Sequence, residues 1–313
     1  MLRVLAVDLG GTKTAVGVVD SDGRVLAKES FPTPLGEPKT VVDLVARLAR
    51  QVIAREGPVE AAGMTLPGIA DRSSGTLVRS PSSGWKDVPF ARLVGDAIGL
   101  RVRSDNDVNA CARAEALFGA GRGLGCFFWM TVSTGIGGAV AVEGRVLEGA
   151  RGMAGEIGHL VVRPGGAACG CGNRGCLEAE AAGPAWRRKA LALLDSLAPG
   201  VGGRLASLPR ESIDARAVAD GARAGDELCL RVVRDVGGAL ARGVAAIASV
   251  LDPDAIVVGG GVAAALDLLS PIVDEELRAL ALPDPGRPAA LRPSALGYDA
   301  ALVGAAALAL RPY

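Results

Sequence analysis

The chain has 313 residues, which at roughly 100–200 residues per domain points to two domains. Half of the residues are hydrophobic, and lysine plus arginine balance aspartate plus glutamate at 34 each. That neutrality argues against a mainly electrostatic role on nucleic acid or an anionic membrane, and 3% aromatic residues leave little for stacking on single strands.

The apolar tail Ala300 to Leu310 falls short of the roughly 20 residues that span a bilayer. The N-terminal run meets Asp8 before a signal-peptide core develops. A cytoplasmic protein is therefore expected, with its six cysteines read as thiols or metal ligands before disulfides.

In chain order, residues 2–7 form an apolar strand that runs into Asp8-Leu9-Gly10-Gly11-Thr12-Lys13. Ala15 to Val19 is a second strand, Ser21-Asp22-Gly23 a hairpin turn, and Arg24 to Glu29 a third strand. Thr40 to Arg55 places Val41, Val42, Leu44, Val45, Leu48, Val52 and Ile53 at helical spacing. Ala61 to Thr65 reads as a strand, Leu100 to Val102 as strand-like, and Asn109 to Phe118 as a helix stopped by Gly119. Cys126 to Val132 is a strand ending in Ser133-Thr134-Gly135-Ile136-Gly137-Gly138. Ala139 to Val142 turns at Glu143-Gly144 into Arg145 to Leu147. Residues 183–250 are mostly helical in pattern, longest over Asp226 to Val250, with Gly237-Gly238 weakening the middle. Ala255 to Val258 is a buried strand closed by Gly259-Gly260-Gly261. The order strand, glycine turn, strand, hairpin occurs near 4–29 and again near 126–147, which suggests two related α/β halves.

The three glycine turns each follow an apolar strand. Glycines permit positive φ and close backbone approach, and turn N–H groups with Thr12 and Lys13 suit a phosphate. Asp8 at a strand end suits Mg²⁺ held through water. A plain tight hairpin satisfies the first turn equally well, and neither a P-loop nor a G-x-G-x-x-G pattern is present. Together the three turns suggest a nucleotide held between two lobes.

Cys169, Cys171 and Cys176 lie within eight residues, and the single histidine, His159, is ten residues upstream of the first. Three thiols and one imidazole complete a tetrahedral Zn²⁺ set of structural type; the alternative is incidental thiols or a disulfide. Cys111, Cys126 and Cys229 stand in apolar contexts and read as small buried hydrophobes. Asn106 and Asp107 precede a helix, where either serves as an N-cap. Glu156 lies three residues before His159, and Glu178 two after Cys176. A shared metal would draw both carboxylates into one neighbourhood suited to a polyol.

These residues carry a family likeness over essentially the whole chain. The sequence resembles the ROK family of repressors, open reading frames and sugar kinases. The matching pieces are DLGGTKT at 8–14, NDVNA at 106–110, TGIGG at 134–138, GEIGH at 155–159, CGCGNRGCLE at 169–178, DPDAIVVGGGVA at 252–263 and ALGYDAALVGAA at 295–306. Within the family the bacterial glucokinases are most similar, through GWKDVP at 84–89, CLEAEAAGPAWRR at 176–188 and ARAGDE at 222–227.

The resemblance implies an α/β, actin-like ATPase (ribonuclease H-like) fold, two lobes with a ligand cleft between them. Residues 1–118 with 299–313 would form the small lobe and 119–298 the large one. It implies Asp107 as catalytic base, with Gly68, Asn106, Asp107, Glu156, His159 and Glu178 on the sugar. Asp8, Gly10, Gly11, Thr12, Lys13, Ser133, Thr134 and Gly135 would serve the phosphates of Mg-ATP, and Gly259, Gly260 and Gly261 would lie near the adenosine. His159 would bind Zn²⁺ through one ring nitrogen and reach the sugar through the other. Dimers or tetramers are the family habit.

The sequence departs from the family glucokinases at three places. Ser82-Ser83 replaces Asn-Leu before Gly84-Trp85, near the sugar, which leaves the hexose open. Asp105 replaces Glu, and Ala139 replaces Gly. The implied activity is transfer of the ATP γ-phosphoryl to the 6-hydroxyl of glucose. The alternatives are N-acetylmannosamine, N-acetylglucosamine or fructose as acceptor. A sugar-responsive repressor is disfavoured, because the DLGGT strand begins at residue 2, where a repressor would carry a helix-turn-helix.

Overall fold

The computed structural model describes residues 2–81, 83–197, 203–280 and 291–311. Ser82, one of the departures above, lies outside the described residues.

The first part of the chain gives β1 (Arg3–Leu9), β2 (Lys13–Asp20), β3 (Val25–Pro32), α1 (Pro38–Glu56), β4 (Ala62–Leu66), β5 (Ile69–Asp71), β6 (Thr76–Arg79) and β7 (Lys86–Val88). There follow α2 (Phe90–Ile98), β8 (Val102–Asn106), α3 (Asp107–Phe118), β9 (Cys126–Val132), β10 (Ile136–Val142) and β11 (Arg145–Leu147). The remainder gives α4 (Leu177–Ala181), α5 (Gly183–Asp195), α6 (Gly203–Ala206), α7 (Ala215–Arg223), α8 (Glu227–Leu251), β12 (Ala255–Gly259), α9 (Leu266–Leu280), β13 (Leu291–Pro293) and α10 (Ala300–Leu310). The described residues up to Gly123, with Ala141–Ala154 and those from Ala295 onward, form one compact unit. Leu124–Val140 and the described part of Gly155–Ser294 form the other.

In the first unit a five-stranded sheet runs β3-β2-β1-β4-β8. β1, β2 and β3 are an antiparallel meander, while β1, β4 and β8 are parallel. The period-two alternation of β1 splits its side chains between two cores. Leu5 and Val7 face α1, which contributes Val41, Val45, Ala49 and Val52. Val4 and Ala6 face α10, which contributes Leu302, Ala305, Ala306 and Ala309. Each such larger aliphatic side chain stabilises the unit by about 1.5–3 kcal/mol when fully buried.

In the second unit the strands lie in the order β10-β9-β12-β13, with β9, β12 and β13 parallel. This repeats the β2-β1-β4-β8 order of the first unit, so the weak sequence repeat reflects a duplicated sheet plan. The helix α8 packs against α9, α7, α5 and α4. It starts at Asp226, whose carboxylate accepts from the N–H groups of Leu228 and Cys229 at 3.0 and 3.1 Å. Gly237-Gly238 does not interrupt it. A Cβ on Gly237 would stand 2.8 Å from Ile272 of α9, so the missing side chain lets the two helices approach.

Three sequence expectations need correction. The strand expected at 100–102 lies at Val102–Asn106, because residues 102–106 pair in parallel with Ala62–Leu66 of β4. The helix expected from Asn109 starts at Asp107, because Asn106 caps it. Cys126 is only half-buried, unlike Cys111 and Cys229. Among the described residues no helix is long and apolar enough to cross a membrane.

Candidate active site

In the first unit the Gly10–Lys13 turn joins β1 to β2. Gly10 N–H donates to the Lys13 carbonyl at 3.1 Å, and a Cβ on Gly10 would stand 2.6 Å from that oxygen. Close approach, not a left-handed backbone, is what demands glycine there. Thr33, just after β3, closes the turn. Its N–H donates to the Thr12 carbonyl at 2.9 Å, its hydroxyl donates to the Gly10 carbonyl at 2.8 Å, and the Thr14 hydroxyl lies 2.8 Å away. Thr12 and Lys13 point outward and are exposed, as is suitable for an anion. Asp8 accepts from the Thr65 hydroxyl at 2.7 Å. Desolvation raises the Asp8 carboxyl above its ordinary value, against the opposing pull of Thr65, Lys28 and Lys13.

The register sets Asp8, Thr65 and Asp105 side by side on β1, β4 and β8. Asp105 is buried, and burial raises its carboxyl although Asn106 N–H and the Asn109 amide donate to it. Asn106 follows at the strand end. Its Oδ1 accepts from the N–H groups of Val108 and Asn109 at 2.8 and 3.3 Å, and its Nδ2 donates to the Gly68 carbonyl at 2.7 Å. The capping reading of Asn106 therefore holds, and the same side chain locks Gly68 beside it. Asp107 is the first residue of α3, half-buried, with one carboxylate oxygen accepting from Val108 N–H at 3.0 Å.

In the second unit the register aligns Thr131 of β9 with Gly259 of β12, so the turns that follow both strands emerge together. A Cβ on Gly260, whose φ is +86°, would stand 2.5 Å from the Val132 carbonyl, and one on Gly261 would be 3.9 Å from the Ser133 hydroxyl. The Val132–Ser133 end of the first turn thus sits beside Gly260 and Gly261. The Ser133 carbonyl accepts from Gly183 N–H at 2.7 Å, and Ile136 N–H donates to Glu178 Oε2 at 3.0 Å.

The donor atoms of His159, Cys169, Cys171 and Cys176 all lie within 4.8 Å of one another. Cys171 Sγ is 3.6 Å from Cys176 Sγ, and Cys169 Sγ is 3.7 Å from His159 Nδ1. In a tetrahedral Zn²⁺ site, bonds of about 2.3 Å to sulfur and 2.0–2.1 Å to nitrogen place neighbouring donors roughly 3.5–3.8 Å apart. The residues fit such an ion. The loop closes on itself through Cys169 N–H to the Asn173 carbonyl and Gly172 N–H to the Cys169 carbonyl, at 2.8 and 3.0 Å. With Nδ1 turned to the cysteines, His159 Nε2 faces the other way, 3.9 Å from Glu156 Oε2. Glu178 Oε1 lies 4.0 Å from Cys169 Sγ. Glu156, His159 and Glu178 are thus gathered around the cluster.

Sequence reading missed the frame of this loop. Glu180 is 2% exposed; its Oε1 accepts from Ala167 N–H at 2.7 Å and its Oε2 pairs with Lys189 at 3.0 Å and Arg163 at 3.2 Å. Asp235 of α8 pairs with the same two cations. Burial pushes the Glu180 carboxyl up, but the Ala167 N–H and Lys189 more than offset it, leaving Glu180 below its ordinary value. No local pattern marks these residues, since Glu180 and Asp235 are 55 positions apart, the difference of their numbers.

The profile of the ROK family matches residues 4–311. The glucokinase of Thermotoga maritima is 36% identical over 310 residues, covering 98% of this chain and 97% of the relative. The N-acetylmannosamine kinase of Citrobacter koseri is 34% identical over 313 residues, covering 98% and 99%. The crystal structure of a ROK family glucokinase from Streptomyces griseus in complex with glucose and AMPPNP is 34% identical, with a TM-score of 0.82 over 98% of this chain and 99% of that one. Its fold is the actin-like ATPase fold, and the two glycine-turn sheets described above are the duplicated core of that architecture. With the profile spanning nearly every residue, the chain belongs to the ROK family.

Proposed function

We propose that this protein is an ATP-dependent hexose kinase that transfers the γ-phosphoryl group of ATP to the 6-hydroxyl of glucose. The observation that carries the reading is the Asn106–Asp107 pair: Asn106 is fixed by the helix cap and by Gly68, which holds Asp107 at the first position of α3. Similarity to a glucokinase at 36% identity over nearly the full length supports the acceptor.

Phosphoryl transfer depends mostly on positioning and charge stabilisation. The sugar oxygen attacks the γ-phosphorus, the bond to the β-phosphate oxygen breaks, and ADP leaves. Asp107 aligns the 6-hydroxyl and accepts its proton late, as suits a carboxylate facing an alcohol. Asn106, Gly68, Glu156, His159 and Glu178 hold the other hydroxyls. The Lys13 ammonium and the inner N–H groups of the Gly10–Lys13 and Ser133–Gly135 turns, whose first N–H groups close the turns themselves, offset the phosphate charge, and Gly259–Gly261 border the nucleoside. Asp8 would be the carboxylate facing Mg²⁺ bound with ATP, which would supply further charge compensation. The Cys₃His set would hold Zn²⁺ in a structural role, since four protein donors would leave no open position for Lewis-acid work.

The identity of 34% to an N-acetylmannosamine kinase over an equal span favours one second reading, the same chemistry on an N-acetylated hexose. ADP release with Mg-ATP across glucose, mannose, fructose, glucosamine, N-acetylglucosamine and N-acetylmannosamine decides between them. A kcat/KM preference for glucose is expected. Preference for N-acetylmannosamine replaces the acceptor, and no ADP release with any sugar overturns the kinase reading.

A further inference from the structure

Within the second unit the Ser133–Ile136 turn is gripped from the metal cluster. Ile136 N–H donates to Glu178 Oε2 at 3.0 Å, while the Ile136 carbonyl packs directly against Gly158. Each of these partners neighbours a metal ligand: Gly158 precedes His159, and Glu178 is in the first turn of α4, which starts immediately after Cys176. An ion that fixes His159 to Cys176 therefore fixes both the N–H and the carbonyl of one residue, Ile136, in the turn. Gly135 carries the same message. A Cβ there would stand 2.6 Å from Glu178 Oε2, with only that carboxyl group within 4 Å, and Gly135 has no positive φ to demand glycine. A side chain at Gly135 would have to displace the Glu178 carboxylate.

We propose that Glu178 is a positioning residue for the nucleotide, coupling the Cys/His cluster to the Ser133–Ile136 turn so that metal occupancy sets affinity for phosphate. This rests on the reading of that turn as a phosphate loop, and it goes beyond the sugar contact assigned to Glu178 above.

The test is calorimetric titration of Mg-AMPPNP without sugar, on variants whose metal content and circular dichroism match the wild type. Glu178→Ala should weaken nucleotide about tenfold, the loss of one charge-assisted hydrogen bond, whereas Glu178→Gln, whose amide oxygen still accepts from Ile136, should stay within about threefold. Gly135→Ala should weaken nucleotide by displacing Glu178, yet add less than about twofold in the Glu178→Ala background, because coupled sites are not additive. Nucleotide affinity unchanged in Glu178→Ala, or a Gly135→Ala effect equal in both backgrounds, overturns the coupling. If the variants do not fold, amide exchange at Ile136 in the wild type decides: faster exchange on metal removal supports the proposal, and unchanged exchange overturns it. Failure of the wild type itself to bind nucleotide would instead overturn the kinase reading.

Discussion

The turn at Gly10–Lys13 is closed from within its own meander: its bonds run among residues 10–14, to Thr33 just after β3, and along the flanking ladders of β1, β2 and β3. The turn at Ser133–Ile136 occupies the equivalent place in the second sheet and has a local bond of its own, from Ser133 N–H to the Gly135 carbonyl at 2.9 Å, but Glu178, Gly183 and Gly158, tens of residues away along the chain, hold it as well. The same backbone element is thus held by local closure in one unit and by local closure plus contacts from a metal-capable cluster in the other. A locally closed turn fails only when its own meander is altered. A turn with added remote supports is weakened when the cluster fails, and this gives the second unit a dependence that the first lacks.

The largest effect leaves both turns alone. Asp107→Asn should lower kcat by about 10²–10⁴-fold with sugar binding largely kept, the range for loss of a general base. Steady-state kinetics check it, and a variant retaining a tenth or more of wild-type kcat removes Asp107 from that role.

Cys171→Ser should separate the units. Loss of a ligand should release the metal and lower Tm by roughly 5–10 °C, since structural metal binding is folding free energy. Amide exchange should rise in residues 155–183 and not in 2–33. Full metal content with wild-type melting would remove the cluster from its supporting role.

Thr33→Val probes the locally closed turn. It strips the hydroxyl bonds to Gly10 and Thr14 in a site where Thr33 is 8% exposed, at a cost of about 1–3 kcal/mol. The ATP KM should rise while metal content stays at the wild-type level. A parallel loss of metal would mean that the two turns do not depend on separate supports.

The smallest effect concerns Asp8. Its folded-state carboxyl is raised, so at neutral pH the ionised, desolvated form costs stability, and that cost fades as pH falls through the folded value. Without nucleotide or divalent cation, Asp8→Asn should therefore melt slightly above the wild type at pH 7, with the gap narrowing toward pH 4. An Asp8→Asn variant less stable than the wild type at pH 7 would contradict the assigned cost.

What was legible in the sequence follows the same division. The β1–β2–β3 meander, its turn and α1 are local patterns, and they appear where the spacing places them. The Cys/His set was legible because donor types and count closed without any knowledge of the fold. Asn106 and Asp107 stood out as a polar break before a helix, although the strand was placed too early. Ser104 and Asp105 look unlike strand residues, yet pairing with the inner strand β4 draws them in. The second role of Glu178 was not legible, because Ile136 lies 42 positions away. The helix α10 was read only as an apolar tail. Its residues are buried nearly all round, so no polar face marks it as a helix.

That last helix has a consequence for how the protein is made. Val4, Ala6, Ala15 and Val19 complete their packing against Leu302, Ala305, Ala306 and Ala309. The ribosome delivers those partners roughly 290 residues after β2, which at about 5–20 residues per second means roughly 15–60 s. For that interval one face of the first sheet is an apolar surface without its cover on the nascent chain. A premature stop anywhere before Ala300 makes the interval permanent, so messages truncated even near their 3′ end should yield aggregates rather than a smaller enzyme.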